Sequence, residues 1–167
     1  MDEKMLVMRA AGGDREAFAA LYTRYKDDLY RYAYFQLGHP EDARDAVSSC
    51  IIAAFESIYS LRAAAAFKNW IFRILYRCCC KLMTDQSAQR HRADIEELDH
   101  LPAENNTLSP ELKEAFSVLS SEDRNIVLLS VIAGYNSSEI AVITGLKATT
   151  VRSRLSRALA KMKQFLE

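Results

Sequence analysis

The chain has 167 residues, of which 50% are apolar and 26% are charged, a balance that supports a packed globular core rather than a disordered chain. Its formal net charge is zero, which taken alone disfavours a nucleic-acid binder. Uninterrupted apolar runs of about 18 residues are absent and charges interrupt the N-terminus, so we expect neither a membrane span nor a signal peptide and predict a cytoplasmic protein.

The charges are sorted along the chain. Residues 61–83 carry five basic side chains and no acidic one, and residues 147–167 carry six basic side chains against one acidic. Between them, residues 84–110 carry two basic and six acidic groups. Two basic segments therefore flank an acidic connector, so the zero net charge hides surfaces that suit a polyanion.

Apolar spacing in the first half of the chain predicts helices. A short helix at about residues 5–11 is followed by Asp14, which is placed to cap a long amphipathic helix. Gly38 ends that helix, and a second one follows over about residues 40–59. A third helix is predicted over residues 67–83, the segment that carries the first basic stripe. Because the chain has only five glycines and three prolines, its expected fold class is all-α.

The second half of the chain begins after a predicted linker. Residues 84–109 lose the helical periodicity and gain acidic side chains. Beyond them, with Ser121 as one predicted cap, we expect shorter helices at about residues 111–119, 121–133, 137–144 and 149–165. The sequence thus predicts two small helical domains, residues 1–83 and 110–167, joined by an acidic linker.

The last two predicted helices form a helix-turn-helix. Asn136 and Glu139 have the spacing of a capping box, which starts the first of these helices. The small Ala141 lets the helices approach each other, Gly145 can adopt the positive φ of the turn, and Val151 packs the second helix onto the first. This spacing is typical of a DNA-reading motif.

The second helix of this motif has a polar, basic and short-chained face. Short serines allow the helix to approach a major groove closely, and forked arginines can reach guanine edges or phosphates. The candidate DNA-contacting residues are Arg152, Ser153, Ser156 and Arg157.

At these residues the sequence resembles a known family. The segment LSSEDRNIVLLSVIAGYNSSEIAVITGLKATTVRSRLSRALAKMK is similar to region four, the promoter-reading domain, of extracytoplasmic-function sigma factors of the sigma-70 family. The segments REAFAALYTRYKDDLYRYAYFQLGHPEDARDAV and FKNWIFRILYRCCCKLM resemble region two. The resemblance implies an RNA polymerase sigma factor that directs promoter-specific transcription initiation, without catalytic residues or a cofactor.

The resemblance also implies where each activity lies. Contacts with the minus-35 element are expected at Arg152, Ser153, Ser156 and Arg157. Contacts near the minus-10 element are expected at Arg62, Lys68, Arg73 and Arg77, with Trp70 beside them, although the place of Trp70 on an apolar stripe favours a core role. Docking on core polymerase is expected at Glu41, Asp42, Asp45, Ser48 and Ser49.

The implied partners are promoter DNA and core RNA polymerase, through the β′ coiled coil and the β flap. Family members are commonly held inactive by a dedicated anti-sigma factor, and such a partner is an open possibility here. In family members the linker threads into polymerase channels that otherwise carry nucleic acid, and an acidic linker suits that role. A plain solvated linker is equally compatible with its composition.

Two departures from the family pattern keep alternatives open. Ser48 and Ser49 stand where the family usually has a Gln-Glu-like pair, and Cys78 stands where asparagine is common, with Leu82 instead of an aspartate four residues later. One alternative is therefore a sigma-like protein that binds polymerase or a regulator without opening promoters. The other is a helix-turn-helix regulator whose N-terminal helices dimerise or sense a signal.

The cysteines and histidines point to no further chemistry. Cys78, Cys79 and Cys80 are consecutive within a helical pattern, so their side chains point about 100° apart and are poorly placed for a shared metal or disulfide. With Cys50 they are interpreted as small, partly buried apolar residues. The three histidines lack nucleophile or metal-ligand spacing, so we expect no enzyme activity and no metal.

Overall fold

The computed structural model describes residues 2–89 and 109–167, and within these ranges it contains helices and no strand. The all-α class predicted from the sequence is confirmed. The helices are α1 (Glu3–Ala11), α2 (Arg15–Leu37), α3 (Pro40–Ser57), α4 (Phe67–Gln89), α5 (Pro110–Ser117), α6 (Ser121–Val131), α7 (Ser137–Thr144) and α8 (Ala148–Leu166). Two short 3-10 turns, Ile58–Ser60 and Ala64–Ala66, connect α3 to α4.

Helices α1 to α4 form the N-terminal half. The Asp14 carboxylate accepts a hydrogen bond from the backbone N–H of Ala17 at the start of α2, and it pairs with Arg9 at 2.5 Å. These donors hold the pKa of Asp14 below its usual range. Gly38 ends α2 with a φ of 81°, the left-handed conformation that glycine adopts without strain. The sequence signals for this helix are therefore confirmed.

The core of the N-terminal half is built from one face of each helix. Helix α3 packs between α2 and α4, and α1 lies against α2 and the two 3-10 turns. The fully buried side chains include Leu21 and Leu29 of α2, Cys50 of α3, and Ile71 and Leu75 of α4. Burial of such side chains is the main stabilising contribution in a helical domain of this size.

Helices α5 to α8 form the C-terminal half, which contains the predicted helix-turn-helix. The Asn136 side chain accepts from the Glu139 N–H at 2.9 Å, and the Glu139 carboxylate accepts from the Asn136 N–H at 3.0 Å. This capping box starts α7, and Gly145, with a φ of 79°, ends it. The buried Ile140 and Val151 then pack α7 and α8 together.

Two sequence predictions differ from the structure. The cap of α6 is Ser120, whose hydroxyl accepts from the Asp123 N–H at 3.1 Å, and the predicted cap Ser121 is the first helical residue. Helix α4 continues to Gln89, beyond the predicted start of the linker at residue 84. The remainder of the predicted linker, residues 90–108, lies outside the described residues, so the domain boundaries stay predictions.

The two halves are packed against each other. Helix α2 contacts both α5 and α6, and buried apolar residues of the two halves belong to one continuous cluster. Phe35 of α2 lies 4.9 Å from Phe116 of α5 between ring centroids. We call the contact between α2 and α4 on one side and α5, α6 and the α6–α7 loop on the other the interdomain seam. Among the described helices, none has an apolar stretch that could span a bilayer.

The left-handed conformation of Gly145 makes a stability prediction. Gly145→Val should lower the free energy of unfolding by about 1–2 kcal/mol, because a β-branched side chain is strained at this φ. Gly145→Asn should cost clearly less, since asparagine visits this conformation more readily. Urea denaturation followed by circular dichroism measures both values. Equal losses in the two variants would show that the backbone conformation is not the cause.

Candidate promoter and polymerase interfaces

The predicted DNA-reading face lies exposed on α8. Arg152, Ser153, Ser156 and Arg157 are all exposed, whereas Val151, Ala158 and Met162 are buried against the rest of the C-terminal half. At about 100° per residue the four polar residues fall within one arc of the helix. The Arg157 guanidinium lies along the helix surface and donates to the Ser153 hydroxyl at 3.1 Å. The structure thus brings the four predicted residues together on one open surface.

Arg154, in the middle of the same sequence motif, has a different role. Its guanidinium pairs with Glu122 at 2.6 Å and lies 3.7 Å from Asp123, both in the first turn of α6. The hydrogen bond that Arg154 donates to the Glu122 carboxylate raises the pKa of Arg154, which stays charged. Arg154 therefore ties α8 to α6 and helps to orient the exposed arc. The sequence analysis missed this pair, whose two partners lie 32 residues apart.

The predicted minus-10 cations are divided over three places. Arg73 and Arg77 are exposed one turn apart on α4. Arg62 is exposed between the two 3-10 turns, outside the helix. Lys68 is only partly exposed, and its position is about 140° around α4 from Arg73. Its ammonium lies 3.6 Å from where a Cβ on Gly134 would be, so it faces the loop between α6 and α7.

Trp70 is partly a core residue and partly a surface residue. It is partly exposed and packs against the core, with its ring 5.9 Å from that of the buried Phe67. On α4 it falls on the same side as Arg73 and Arg77, so an aromatic surface lies beside the two exposed cations. Trp70 therefore packs against the core, as its apolar spacing predicts, while part of its side chain is exposed to solvent.

The predicted polymerase-docking residues occupy the outer face of α3. Glu41, Asp45, Ser48 and Ser49 are exposed and Asp42 is half-buried. The opposite face of α3 is buried through Ala43, Ala46, Val47, Cys50 and Ala54. The sequence pattern therefore predicted the outer and buried faces of this helix correctly, with the exception of Phe55.

The outer face of α3 continues into an apolar surface. Ile52 and Phe55 are 60% and 46% exposed, and Tyr59 in the following 3-10 turn is 75% exposed. These residues follow Glu41, Asp45 and Ser48 at helical spacing, so the face is acidic and polar at its start and apolar at its end. From spacing alone we expect Phe55 to be buried with Ile51 and Ala54, because the three positions are neighbours on the helix surface. In the structure it is largely exposed, and its ring makes an edge contact with that of the buried Phe18.

Comparison with known proteins assigns the family. Residues 21–89 match the family model for sigma-70 region 2, and residues 109–162 match that for sigma-70 region 4. The RNA polymerase sigma factor SigV of Bacillus subtilis is 32% identical over 84% of this chain and 86% of that protein. The ECF RNA polymerase sigma factor SigM of Mycobacterium tuberculosis is 31% identical over 99% of this chain and 84% of that protein. The chain belongs to the ECF RNA polymerase sigma factors.

Further comparisons agree with this assignment. The ECF sigma factor SigE of Mycolicibacterium smegmatis is 29% identical, and the match spans 65% of its length. Among solved structures, CnrH in complex with the cytosolic domain of CnrY has the same fold, with a TM-score of 0.71 over 98% of this chain and 96% of that one. The sigma factor RpoE of Bartonella quintana, solved with the anti-sigma factor NepR, gives a TM-score of 0.74 over 89% and 96%.

The family resemblance stated from the sequence is thereby confirmed. Sigma factors direct promoter-specific transcription initiation by RNA polymerase. The alternative of a helix-turn-helix regulator outside this family is therefore set aside.

The residues that depart from the family pattern lie on α3 and α4. Ser48 and Ser49 lie on the exposed face of α3, about one turn before Ile52. Cys78 is half-buried on α4.

The four thiols of this sigma factor are free and shielded. Cys50 and Cys79 are fully buried, and Cys78 and Cys80 are half-buried. Burial raises the pKa of all four thiols, most strongly for Cys79 and Cys50. Within the described residues, no cluster of histidine, cysteine and acidic side chains could hold a metal ion. The sequence interpretation of the cysteines as packing residues fits these surroundings.

The shielding of the thiols leads to a reactivity prediction. Because a raised pKa lowers the thiolate fraction at a given pH, iodoacetamide at pH 8 should modify Cys50 and Cys79 much more slowly than the half-buried Cys78 and Cys80. In urea all four should react at similar rates. Peptide mass spectrometry measures each site separately. Rapid modification of Cys79 in the folded protein would contradict the packing role.

Proposed function

We propose that this sigma factor divides its work among three surfaces. The exposed arc of α8 reads the minus-35 element, the exposed cations of α4 and the preceding turn bind near the minus-10 element, and the outer face of α3 docks on core polymerase. The exposed, solvent-facing arc on a capped helix-turn-helix is the observation that carries the proposal. The same arrangement favours a site of action in the cytoplasm, where polymerase and the chromosome are.

The minus-35 assignment follows from what the α8 arc offers to a major groove. Arg152 and Arg157 present forked donors, and Ser153 and Ser156 between them are short enough to let the helix approach the base edges. An arginine that pairs with both acceptors of a guanine contributes about 1–3 kcal/mol of discrimination. Arg154 supports this arc from behind through its ion pair with Glu122, so it acts as a positioning residue.

The minus-10 assignment rests on the exposed cations. Arg73 and Arg77 form a short cationic row on α4, Arg62 adds a third charge nearby in sequence, and the accessible part of Trp70 offers an aromatic surface. Cations that follow the backbone together with an aromatic platform suit unpaired DNA. Lys68 belongs to this surface only if the loop that carries Gly134 moves away.

The polymerase assignment rests on the two-part outer face of α3. Acidic side chains at its start can pair with cations of the β′ coiled coil, and the apolar end can bury Ile52 and Phe55. Ser48 and Ser49 lack the longer polar groups that the family usually has at these positions. Burial of apolar side chains therefore contributes a larger share of the binding free energy in this chain. A second docking point of the C-terminal half on the β flap belongs to the same proposal.

An anti-sigma partner is supported by an apolar groove beside the interdomain seam. The groove measures about 420 Å³, and its lining includes Phe35, Phe116, Val131, Leu159 and Met162 together with Asp28 and Arg31. Val131 and Leu159 are exposed, and a groove of this kind fits the apolar face of an amphipathic helix. RpoE of Bartonella quintana, of the same fold, was solved with an anti-sigma factor.

Transcription with purified core polymerase tests the proposed function. Fragments of a random DNA library that yield run-off transcripts with the reconstituted holoenzyme are enriched and sequenced. Their sequences are then searched for two conserved elements at a fixed spacing. Specific transcripts support initiation. Binding to core polymerase without transcripts would instead identify a sigma-like protein that does not open promoters.

The α8 arc makes the first functional prediction. Arg157→Glu should abolish specific binding of the selected fragments, a loss of at least about 1–3 kcal/mol, because a carboxylate then faces guanine acceptors and phosphates. Affinity for core polymerase should not change, since α3 is untouched. Lys161→Glu is the control for net charge, because Lys161 is exposed on the same helix one turn beyond Arg157 and about 40° outside the arc. If both variants lose affinity for the selected fragments to the same extent, the loss is caused by the change in net charge.

The apolar end of α3 makes the second functional prediction. Ile52→Glu should weaken binding to core polymerase by about tenfold or more, because an isoleucine that is buried on docking contributes about 1.5–3 kcal/mol. Binding of the isolated chain to DNA should not change. Met8→Glu is the control, since Met8 is 70% exposed on α1 of the same half. Microscale thermophoresis with purified core measures both, and an unchanged affinity of Ile52→Glu would remove Ile52 from the interface.

A further inference from the structure

Helix α1 lies against the loop that joins α3 to α4. This loop, residues 58–66, carries Arg62, one of the cations proposed to bind near the minus-10 element. Helix α1 contacts both 3-10 turns of the loop as well as α2, and its buried side chains are Leu6, Val7 and Ala10. The match to sigma-70 region 2 begins at residue 21, beyond the end of α1.

The loop has both exposed and buried residues. Tyr59 and Arg62 are exposed, whereas Ile58 is 3% exposed. Leu61 and Ala64 are partly buried and pack against the core. Because α1 contacts both 3-10 turns, its buried side chains form part of the apolar layer that supports the loop. The conformation in which the loop presents Arg62 therefore depends on the position of α1.

A chain of side-chain contacts connects α1 with the proposed minus-10 surface. The Tyr25 hydroxyl of α2 donates to the Glu3 carboxylate of α1. The Tyr25 ring lies 5.5 Å from that of Phe67 at the start of α4, and the Phe67 ring lies 5.9 Å from that of Trp70, measured between centroids. Such distances are those of aromatic rings in contact. Phe67 is 1% exposed, so a displacement of Tyr25 changes the packing of both Phe67 and Trp70.

The polar contacts of α1 attach it to α2 near both of its ends. Near its C-terminal end, Arg9 pairs with the Asp14 carboxylate, which also caps α2. Near its N-terminal end is the Glu3–Tyr25 hydrogen bond, between two half-buried side chains. Water screens an exposed ion pair strongly, whereas a hydrogen bond to a carboxylate away from bulk water is among the stronger ones. The Glu3–Tyr25 contact is therefore the attachment to test.

We propose that α1 is a brace for the minus-10 surface: through the Glu3–Tyr25 hydrogen bond it holds the loop at residues 58–66 and the accessible part of Trp70 in the orientation that receives unpaired DNA. Neither Glu3 nor Tyr25 touches DNA in this proposal, so both are positioning residues. Fixing these groups in advance strengthens binding, because groups that must be ordered by the DNA cost conformational entropy. The inference rests on the proposed function for the role of Arg62 and Trp70 as contacts near the minus-10 element.

Local loosening of the loop tests the brace on the full chain. Tyr25→Phe removes the donor and keeps the ring, and Glu3→Ala removes the acceptor. Trypsin should cut after Arg62 roughly tenfold faster in both variants, because proteolysis follows the population of the opened segment. Glu3→Gln retains an acceptor and should stay close to the wild type. Tyr30→Phe is the matched control, since it loses the same atom from the same helix outside this chain of contacts.

Three comparisons separate a brace from general stability. Cleavage after Arg77, inside α4, should not change, because global unfolding would expose both sites. Trp70 is the only tryptophan of the chain, so acrylamide quenching of its fluorescence reports its exposure and should increase in Tyr25→Phe. On the fragments selected by run-off transcription, permanganate reactivity of thymines in the minus-10 element should fall severalfold in Tyr25→Phe holoenzyme. Affinity for core polymerase should stay the same, since the outer face of α3 is untouched.

Each alternative result overturns a defined part of the proposal. The brace is refuted if Tyr25→Phe matches Tyr30→Phe in cleavage after Arg62, or if cleavage after Arg62 and Arg77 rises equally. A loosened loop with undiminished promoter opening would refute the role of the brace in initiation. Arg73→Glu tests the minus-10 surface separately. If that variant opens promoters as well as the wild type, the assigned surface fails, while the trypsin and fluorescence results still decide whether α1 holds the loop.

Discussion

Helix α2 carries apolar side chains on more than one face, and the arrangement of both halves depends on this. One face buries Leu21, Leu29 and Ala33 in the N-terminal core, which an amphipathic helix of this length would do in any small helical domain. The last two turns also bury Phe35 and Gln36 against the C-terminal half. Because the same helix belongs to the core and to the interdomain seam, the positions of α5 and α6 follow from the end of α2.

The distribution of charge explains how a chain without net charge can recognise DNA. Its cations are concentrated in two stretches, and the structure divides each stretch further by function. On α8, Arg152 and Arg157 face solvent while Arg154 is used inside the domain to pair with Glu122. Only the exposed cations can release counterions from DNA, so the number of basic residues in a motif overstates the number that contribute to binding.

Local signals in the sequence predicted most of the secondary structure and the faces of the functional helices. Asp14, the Asn136–Glu139 capping box and Gly145 act on neighbouring backbone groups, so they can be interpreted without a structure. The partial burial of Lys68, the pairing of Arg154 and the exposure of Phe55 depend on residues far away in the sequence. Spacing could not predict them, because several helical faces were compatible with the same pattern.

The interdomain seam combines apolar contacts with buried hydrogen bonds. A seam made only of apolar residues would resemble a domain core, and separating its faces would expose that apolar area to water. A seam with hydrogen-bonded tyrosine, asparagine and glutamine can exchange its internal bonds for bonds to water at small net cost. Phe35 and Phe116 give the closed state enough apolar contact to form, while the polar pairs fix its register.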